Sequence, residues 1–293
     1  MTGTKKKSAH SETLVAYAFL APALAITSIF VFGPILFSLP LAFFDWSLLD
    51  PEINFVGADN FVELSQDEVF HIALKNTFVY AAGVVPTQTL LALLLAIAVN
   101  QGIPGQGFFR AAFYLPAITS SVVTSVIFLW IYSKTGLLNY LLSGFGIDGP
   151  DWIGSPGTAL YSIMALNVWS TSGYFMIAFL AALQSIPPSL YEAARIDGAG
   201  PVSRFLNVTV PGVRPTIFFV MTLGLIGCFQ VFDQIYVMSS GGPVNATTTV
   251  SYFIYNAAFK YFEFGYAAAA SLVLFLIILG LTLLQQRIVA EKD

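Results

Sequence analysis

The sequence predicts an all-α polytopic membrane protein with six transmembrane helices, and three observations carry that expectation. Only 10% of the 293 residues are charged, against about 25% in an ordinary soluble domain, and the mean hydropathy is +0.78. Uncharged intervals lie at 13–44, 76–109, 111–133, 152–191, 215–232 and 264–286, each close to or above the roughly 20 residues that a helix needs to cross the hydrocarbon core. The charges collect between these intervals, on short connections.

Trimmed at proline, glycine and polar clusters, the intervals give spans near 14–40, 77–99, 111–132, 159–183, 213–237 and 264–285. The opening MTGTKKKSAHSETL has the basic head of a signal peptide. The apolar run behind it extends from Thr13 to Phe44, without a short core and small-residue cleavage site, so it reads as a retained span after a tail at 1–12. An acidic loop at 45–75 follows, then a five-helix core at 76–286 and a tail at 287–293. The segment NQGIPGQGFF closes the second interval as a turn. Pro22, Gly33, Pro34 and Pro40 interrupt the first span, and Gly224 and Gly227 the fifth. In a membrane such breaks stand only where neighbouring helices, polar groups or water satisfy the freed backbone. Bundle packing explains any one of them, but their number fits a transporter better than an inert anchor. The single cysteine, Cys228, excludes an internal disulfide and a multi-cysteine metal site.

Basic residues orient the bundle. With the N-terminus in the cytoplasm, the inner set is Lys5, Lys6, Lys7, Arg110, Arg195, Arg204, Arg214, Arg287 and Lys292, and the outer set is Lys75, Lys134 and Lys260. Nine against three places both termini inside, together with the connection at 185–212. That connection has its own short helices. Ser189 and Glu192 have capping-box spacing, LYEAARI is helix-forming, and Gly198 suits a helix stop. Gly200–Pro201 can start a second short helix at VSRFLNV, which Pro211 ends. The small apolar surface of Leu190, Ala193, Ala194 and Ile196, flanked by Glu192, Arg195 and Asp197, suits a protein-docking helix or a helix lying on the membrane, and balanced charge weighs against the lipid surface alone.

The run EAARIDGAG at 192–200, continued by VTVP at 208–211, resembles the EAA loop of the membrane subunits of ABC importers. FVGADNFVELSQDEVFHIALKNTFVY at 55–80, FYLPAITSSVV at 113–123 and VFDQIYVMSSGGP at 231–243 resemble the carbohydrate branch, the permeases similar to those for maltose and glycerol 3-phosphate. The resemblance covers about residues 12–288 and implies an ABC type-1 importer transmembrane domain in a bacterial or archaeal inner membrane. It makes Glu192, Ala193, Ala194, Arg195, Asp197, Gly198 and Pro211 the residues that couple to a cytoplasmic ATPase dimer. It also implies a second EAA-bearing permease subunit, an extracytoplasmic solute-binding protein and a carbohydrate or glycoside solute. ATP and Mg are expected on the ATPase, with no cofactor on this chain, which has no GK[ST] phosphate loop. Nucleic acid is not an expected partner.

Polar residues at mid-membrane depth mark the candidate solute path: Asn167, Trp169, Thr171 and Tyr174 on the fourth span, and Cys228, Gln230 and Asp233 on the fifth. Aromatic rings can stack on sugar faces, and carboxamides both donate to and accept from hydroxyls. The same residues can instead join helices, for about 0.6 kcal/mol per hydrogen bond. By the resemblance, Tyr174 stands at an aromatic sugar position. The family's polar contacts on the next span fall at Gly224, Gly227, Cys228 and Val231, so the implied solute differs from maltose: a smaller glycoside, a glucosylated polyol or another disaccharide. A membrane enzyme would need clustered acid, base or nucleophile residues, whereas His10 and His71 fall on opposite faces of the membrane and no HExxH or GxSxG run occurs. An ion-gradient-driven secondary transporter would suit the broken helices but leaves the EAA loop unexplained.

Overall fold

A computed structural model describes residues 9–102 and 104–290. Lys5, Lys6, Lys7 and Lys292, which contribute to the charge bias, lie outside the described residues. The chain divides into two compact units, one of residues up to Leu64 with Ala257–Leu272, the other of Ser65–Asn256 with residues from Val273 onward.

The first unit begins with α1 (Ala9–Thr27), a π turn (Ser28–Phe32) and α2 (Gly33–Leu41). Pro34 has no N–H to offer the Phe30 carbonyl, and just ahead of it the ladder widens, Gly33 N donating to Ser28 O. The helix from Thr13 to Leu41 is long and apolar enough to cross a membrane, and none of its apolar window is buried within the chain. Strands β1 (Phe44–Ser47) and β2 (Asp50–Phe55) then pair antiparallel, with Phe44 opposite Phe55. This hairpin is an addition to the all-helical expectation. Alternating aromatic and polar residues give it a period of two, and the chain next turns through Gly57 at φ +60° into α3 (Asp59–Gln66). Asn60 Nδ2 donates to the carbonyls of Ala42 and Phe44, both at 3.0 Å, so one buried amide joins α3 to the start of the hairpin. Leu48 N donates to Phe262 O at 3.2 Å, and a Cβ on Gly265 would collide with the Phe44 carbonyl.

Asp45, Asp59, Glu63 and Glu263 line one cavity of about 260 Å³ in this unit. Burial, followed by repulsion from the Glu63 and Asp45 carboxylates, holds the Glu263 carboxyl above the ordinary glutamate value. The folded unit therefore binds this proton more tightly than the unfolded chain does. The contribution of this group to stability is fully present below the ordinary carboxylate range and is lost as pH rises through the interval up to the raised value. Glu263→Gln is expected to raise the thermal midpoint of the chain at neutral pH and to confer no gain near pH ~4; an equal gain at both would exclude acid repulsion as the cause.

The second unit is a helical membrane bundle. Asp67 caps α4 (Glu68–Val99), its Oδ1 accepting from Val69 N at 2.7 Å and Phe70 N at 3.1 Å. Helices α5 (Gln106–Ile118), α6 (Ser121–Ile131), α7 (Leu137–Ser143) and α8 (Ala159–Ser185) follow. The third expected span is not one rod, because α5 and α6 meet at 96°. Pro116 weakens the last turn of α5, and Thr119 and Ser120 are extended, with ψ of 141° and 132°. After α8 come α9 (Pro188–Ile196), α10 (Pro201–Arg204), a π turn (Phe205–Thr209), α11 (Val210–Gly212) and α12 (Arg214–Phe229). The α10–α11 run meets α12 at 67°. The fifth span thus ends at Phe229 rather than 237, and α13 (Asp233–Met238) and α14 (Val250–Tyr255) are separate short helices. Helix α15 (Phe264–Ala290) completes the described chain. Four helices are long and apolar enough to span a membrane, and each bent pair taken as one span makes six.

Helices α4 and α8 lie side by side and run in the same direction, Tyr80 level with Asn167 and Ile97 with Leu183. Ala92, Ala96, Met176, Phe179 and Val220 build the core at one end. Beside that core, where Phe113 packs on it, Gly173 of α8 meets the backbone of α5, and a Cβ would collide with the Phe113 carbonyl oxygen. Gly173→Val should cost about 1–3 kcal/mol through overpacking, measured as a lower thermal midpoint of the detergent-solubilised chain. Gly280→Ala, where nothing lies within 4 Å, should hold or raise the midpoint, since alanine is the better helix former by about 0.5–1 kcal/mol.

Candidate functional site

Helix α8 ends at Ser185 because Ile186 and Pro187 each precede a proline and are extended, with ψ of 124° and 129°. Helix α9 starts on Pro188, whose missing N–H costs nothing in a first turn. The expected Ser189–Glu192 capping box is therefore corrected: the N-cap is Pro187, no side chain caps the helix, and Ser189 already lies inside it. The stop at Gly198 does form. Gly198 has φ +77°, its N–H donates to Arg195 O at 3.1 Å, and Ala199 N donates to Ala194 O at 2.8 Å. These are the two bonds of a Schellman motif. The second short helix starts at Pro201 after Gly200, but Pro211 does not end it. Val210 N donates to Phe205 O in a π turn, and the run continues to Gly212 before breaking at Val213. Proline at 211 removes the donor for the Asn207 carbonyl, which suits a widened turn at this place.

The loop has an inner and an outer side. Tyr191, Phe205 and Val208 pack on the apolar cluster at the ends of α4 and α8, and the Tyr191 and Thr209 hydroxyls are hydrogen-bonded at 3.0 Å. Glu192, Ala193, Arg195, Asp197 and Gly198 are exposed, and Ala194 is half-buried. Ile196 is 86% exposed and Leu190 52%. An apolar, charge-flanked ridge held rigidly from behind and uncovered in front is the geometry of a docking helix.

The polar residues inside the bundle form a ladder between α4, α8 and the α12–α13 segment. Gln234 Oε1 accepts from Tyr80 Oη at 2.9 Å and from Asn167 Nδ2 at 3.2 Å. Thr171 Oγ1 is 2.7 Å from Gln88 Oε1 and 2.8 Å from the Asn167 carbonyl. Gln88 Nε2 is buried and, among the described residues, has no partner. It occupies the space that Gly224 leaves empty, since a Cβ there would run into it. Sequence reasoning missed Tyr80, Gln88 and Gln234; a lone glutamine in each of two apolar helical segments was the available signal.

The structure brings Asn167 and Thr171 together but not Trp169, which turns toward α6, its ring 5.2 Å from that of Phe128. Tyr174 is exposed and lies 5.3 Å from the Phe175 ring. Cys228 is buried, Gly227 borders open space, and Gln230 is exposed at the end of α12. Asp233 opens α13 exposed, and among the described residues nothing pairs with its carboxylate; its neighbour Gln234 makes the anchoring bonds. Beside it Phe232, Tyr236, Tyr252 and Tyr255 form an aromatic group, with Phe232 and Tyr236 stacked at 5.4 Å. The SSGGP loop beyond is tied to α4: Asn76 Nδ2 donates to Asn245 O at 2.9 Å and Thr248 O at 3.0 Å.

A family model described as binding-protein-dependent transport system inner membrane component matches residues 69–291. A probable ABC transporter permease of Bacillus subtilis, YurN, is 38% identical, the match covering 95% of this chain and 97% of that protein. The lactose transport system permease protein LacF of Rhizobium radiobacter is also 38% identical, over 92% of both chains. The sn-glycerol-3-phosphate permease UgpA of Yersinia pestis is 36% identical over 94% of both. Among solved structures, a bacterial ABC transporter involved in import of the acidic polysaccharide alginate matches with a TM-score of 0.83 at 27% identity, covering 96% of both chains. A bacterial alginate transporter in complex with alginate pentasaccharide-bound periplasmic protein matches with a TM-score of 0.81, also at 27% identity, over 94% of this chain and 93% of that one.

Gly224→Ala should displace the Gln88 amide and cost about 1–3 kcal/mol. In a Gln88→Ala background the same change should cost less than about 1 kcal/mol, because the side chain it strikes is gone. Thermal midpoints of the four proteins in the cycle measure this coupling.

Proposed function

The chain belongs to the binding-protein-dependent transport system inner membrane component family, and on that premise we propose that it supplies half of the translocation path of an ATP-driven importer for a neutral sugar or glycoside. Its termini and EAA loop lie in the cytoplasm, in line with the charge bias. There Glu192, Ala193, Ala194, Asp197 and Gly198 meet an ATPase dimer that carries the ATP and Mg, Arg195 standing at the flank of that surface beside the cavity behind α9, while Pro211 shapes the helix behind them. A second EAA-bearing permease completes the path, and an extracytoplasmic binding protein delivers the solute. The observation that carries this reading is the exposed α9 ridge, locked by Gly198 and braced through Tyr191.

The solute class rests on three supports. Of the relatives' printed solutes, lactose is a neutral disaccharide, while sn-glycerol 3-phosphate, an anion, supports only the polyhydroxylated character. The ladder offers neutral carboxamides and hydroxyls, with one Gln88 donor uncommitted. The Phe232, Tyr236, Tyr252 and Tyr255 rings suit stacking on pyranose faces. Asn167, Thr171 and Tyr174 with the Gly224–Asp233 segment form the path, and alternating access exposes it by turns to the two sides.

Purification of the chain from its native membrane tests the reading. A second permease and an ATPase should come with it, and one glycoside with its binding protein should stimulate hydrolysis. Glu192→Ala should leave the chain's thermal midpoint unchanged and lower stimulated hydrolysis at least about tenfold, as for a buried contact at a protein interface. Uptake that persists with the ATPase inactivated would assign the chain to a gradient-driven mechanism instead.

A further inference from the structure

Behind the EAA loop lies a cavity of about 620 Å³, between α9, α10 and the ends of α4 and α8. Leu183 and Phe205 give it apolar walls, whereas Asn100, Arg195 and Arg204 bring polar and charged groups to it. The Tyr191–Thr209 hydrogen bond of 3.0 Å fixes another of its walls. Arg204 Nε is shut off from solvent and, among the described residues, has no acceptor. Among the described residues neither arginine pairs with a carboxylate. A guanidinium N–H withdrawn from water and left unpaired is unfavourable, and two like charges bordering one cavity repel. An anion that accepts from both removes both penalties.

We propose that this cavity binds a phosphate group that bridges Arg195 and Arg204. Two guanidinium forks plus the Asn100 amide supply more donors than one carboxylate's two oxygens can fill, and arginine matches phosphate oxygens bidentately. The site lies where the apolar run of α4 stops at Val99 and that of α8 at Leu183, which for helices that span a bilayer is the level of the headgroups. Basic pockets between helix ends on the cytoplasmic side hold anionic headgroups, so the phosphate of an anionic phospholipid is the favoured source and a free phosphate ester the other. Only the choice of leaflet rests on the cytoplasmic placement proposed above. A ligand joining α9 to α10 would stiffen the loop that transmits ATP hydrolysis.

The test is titration of the purified full chain, in a zwitterionic detergent, with phosphatidylglycerol, phosphatidylcholine or inorganic phosphate, read by native mass spectrometry and thermal midpoint. Phosphatidylglycerol should be retained and raise the midpoint, and phosphatidylcholine should do neither. Arg204→Gln should weaken retention about tenfold or more, and Arg204→Lys should weaken it less. Displacement of the lipid by inorganic phosphate would assign the site to a free phosphate group, and its absence to the lipid. If Arg204→Gln fails to fold, Asn100→Leu, at an exposed position past the end of α4, makes the same test. Retention of phosphatidylglycerol unaltered in both variants, or equal retention of phosphatidylcholine, overturns the proposal. So does binding of no phosphate by a chain whose Arg204→Gln variant instead loses its ATPase partner, since the anion would then be a protein carboxylate. None of these outcomes depends on whether the solute is a sugar.

Discussion

The bundle depends on one constraint: in a medium without water, the polar side chains of α4, α8 and the α12–α13 segment must find partners in one another. Gln234 accepts from both Tyr80 and Asn167, and Thr171 reaches Gln88. These bonds fix α4 against α8 in register, because sliding either helix by one turn would strand several groups at once. Apolar packing alone gives no such register, since lipid tails satisfy leucine and phenylalanine as well as a neighbouring helix does. With that pair fixed, each end inherits a defined surface. At one end Asn76 and Thr77 hold the SSGGP loop, Thr77 Oγ1 accepting from Val250 N at 3.0 Å. At the other, the α4 and α8 ends seat Tyr191 and so aim α9.

The loop shows how rigidity is obtained from short elements. A helix of nine residues is too short to be stable alone. Here its start is fixed by consecutive prolines, its end by a left-handed glycine, and its back by the partly buried Tyr191, so little conformational freedom would remain to be lost if it docks as proposed. The price of such ordering is met within the chain before any partner arrives.

Much of this was legible in the sequence, because the membrane imposes patterns that a chain cannot hide. The six apolar intervals, the turn after Asn100 and the Gly198 stop follow from length, hydropathy and backbone chemistry. The 96° bend was not legible: Pro116 signals a weak helix end, but the angle depends on Thr119 and Ser120, which any extended connection tolerates. The capping box failed because proline outranks serine in setting a helix start when both are present. The hairpin was missed because FDWS and EINF are short and sit in an acidic loop, and Asn60, which fastens it, looks like any polar loop residue. The interior ladder was half legible. Asn167 and Thr171 stand in a polar cluster, but their partners Gln88, Tyr80 and Gln234 lie far away in the sequence, and pairing across helices has no local signature.

Gly224 connects that ladder to the proposed solute path. Where the resemblance leads one to expect a hydrogen-bonding side chain on the span after the loop, this chain has hydrogen, and Gln88 of α4 fills the vacated space. The polar capacity of the region has therefore changed helices without disappearing. Gln88 spends its oxygen on Thr171 and keeps a donor uncommitted, buried against Gly224 and held by the register of α4 and α8. An uncommitted donor favours hydroxyl and carbonyl oxygens, and its neighbours Asn167, Thr171 and Gln234 bring no charge that would require a counter-ion. Under the proposed function, the same buried bond that sets the helix register also sets the chemistry of the path.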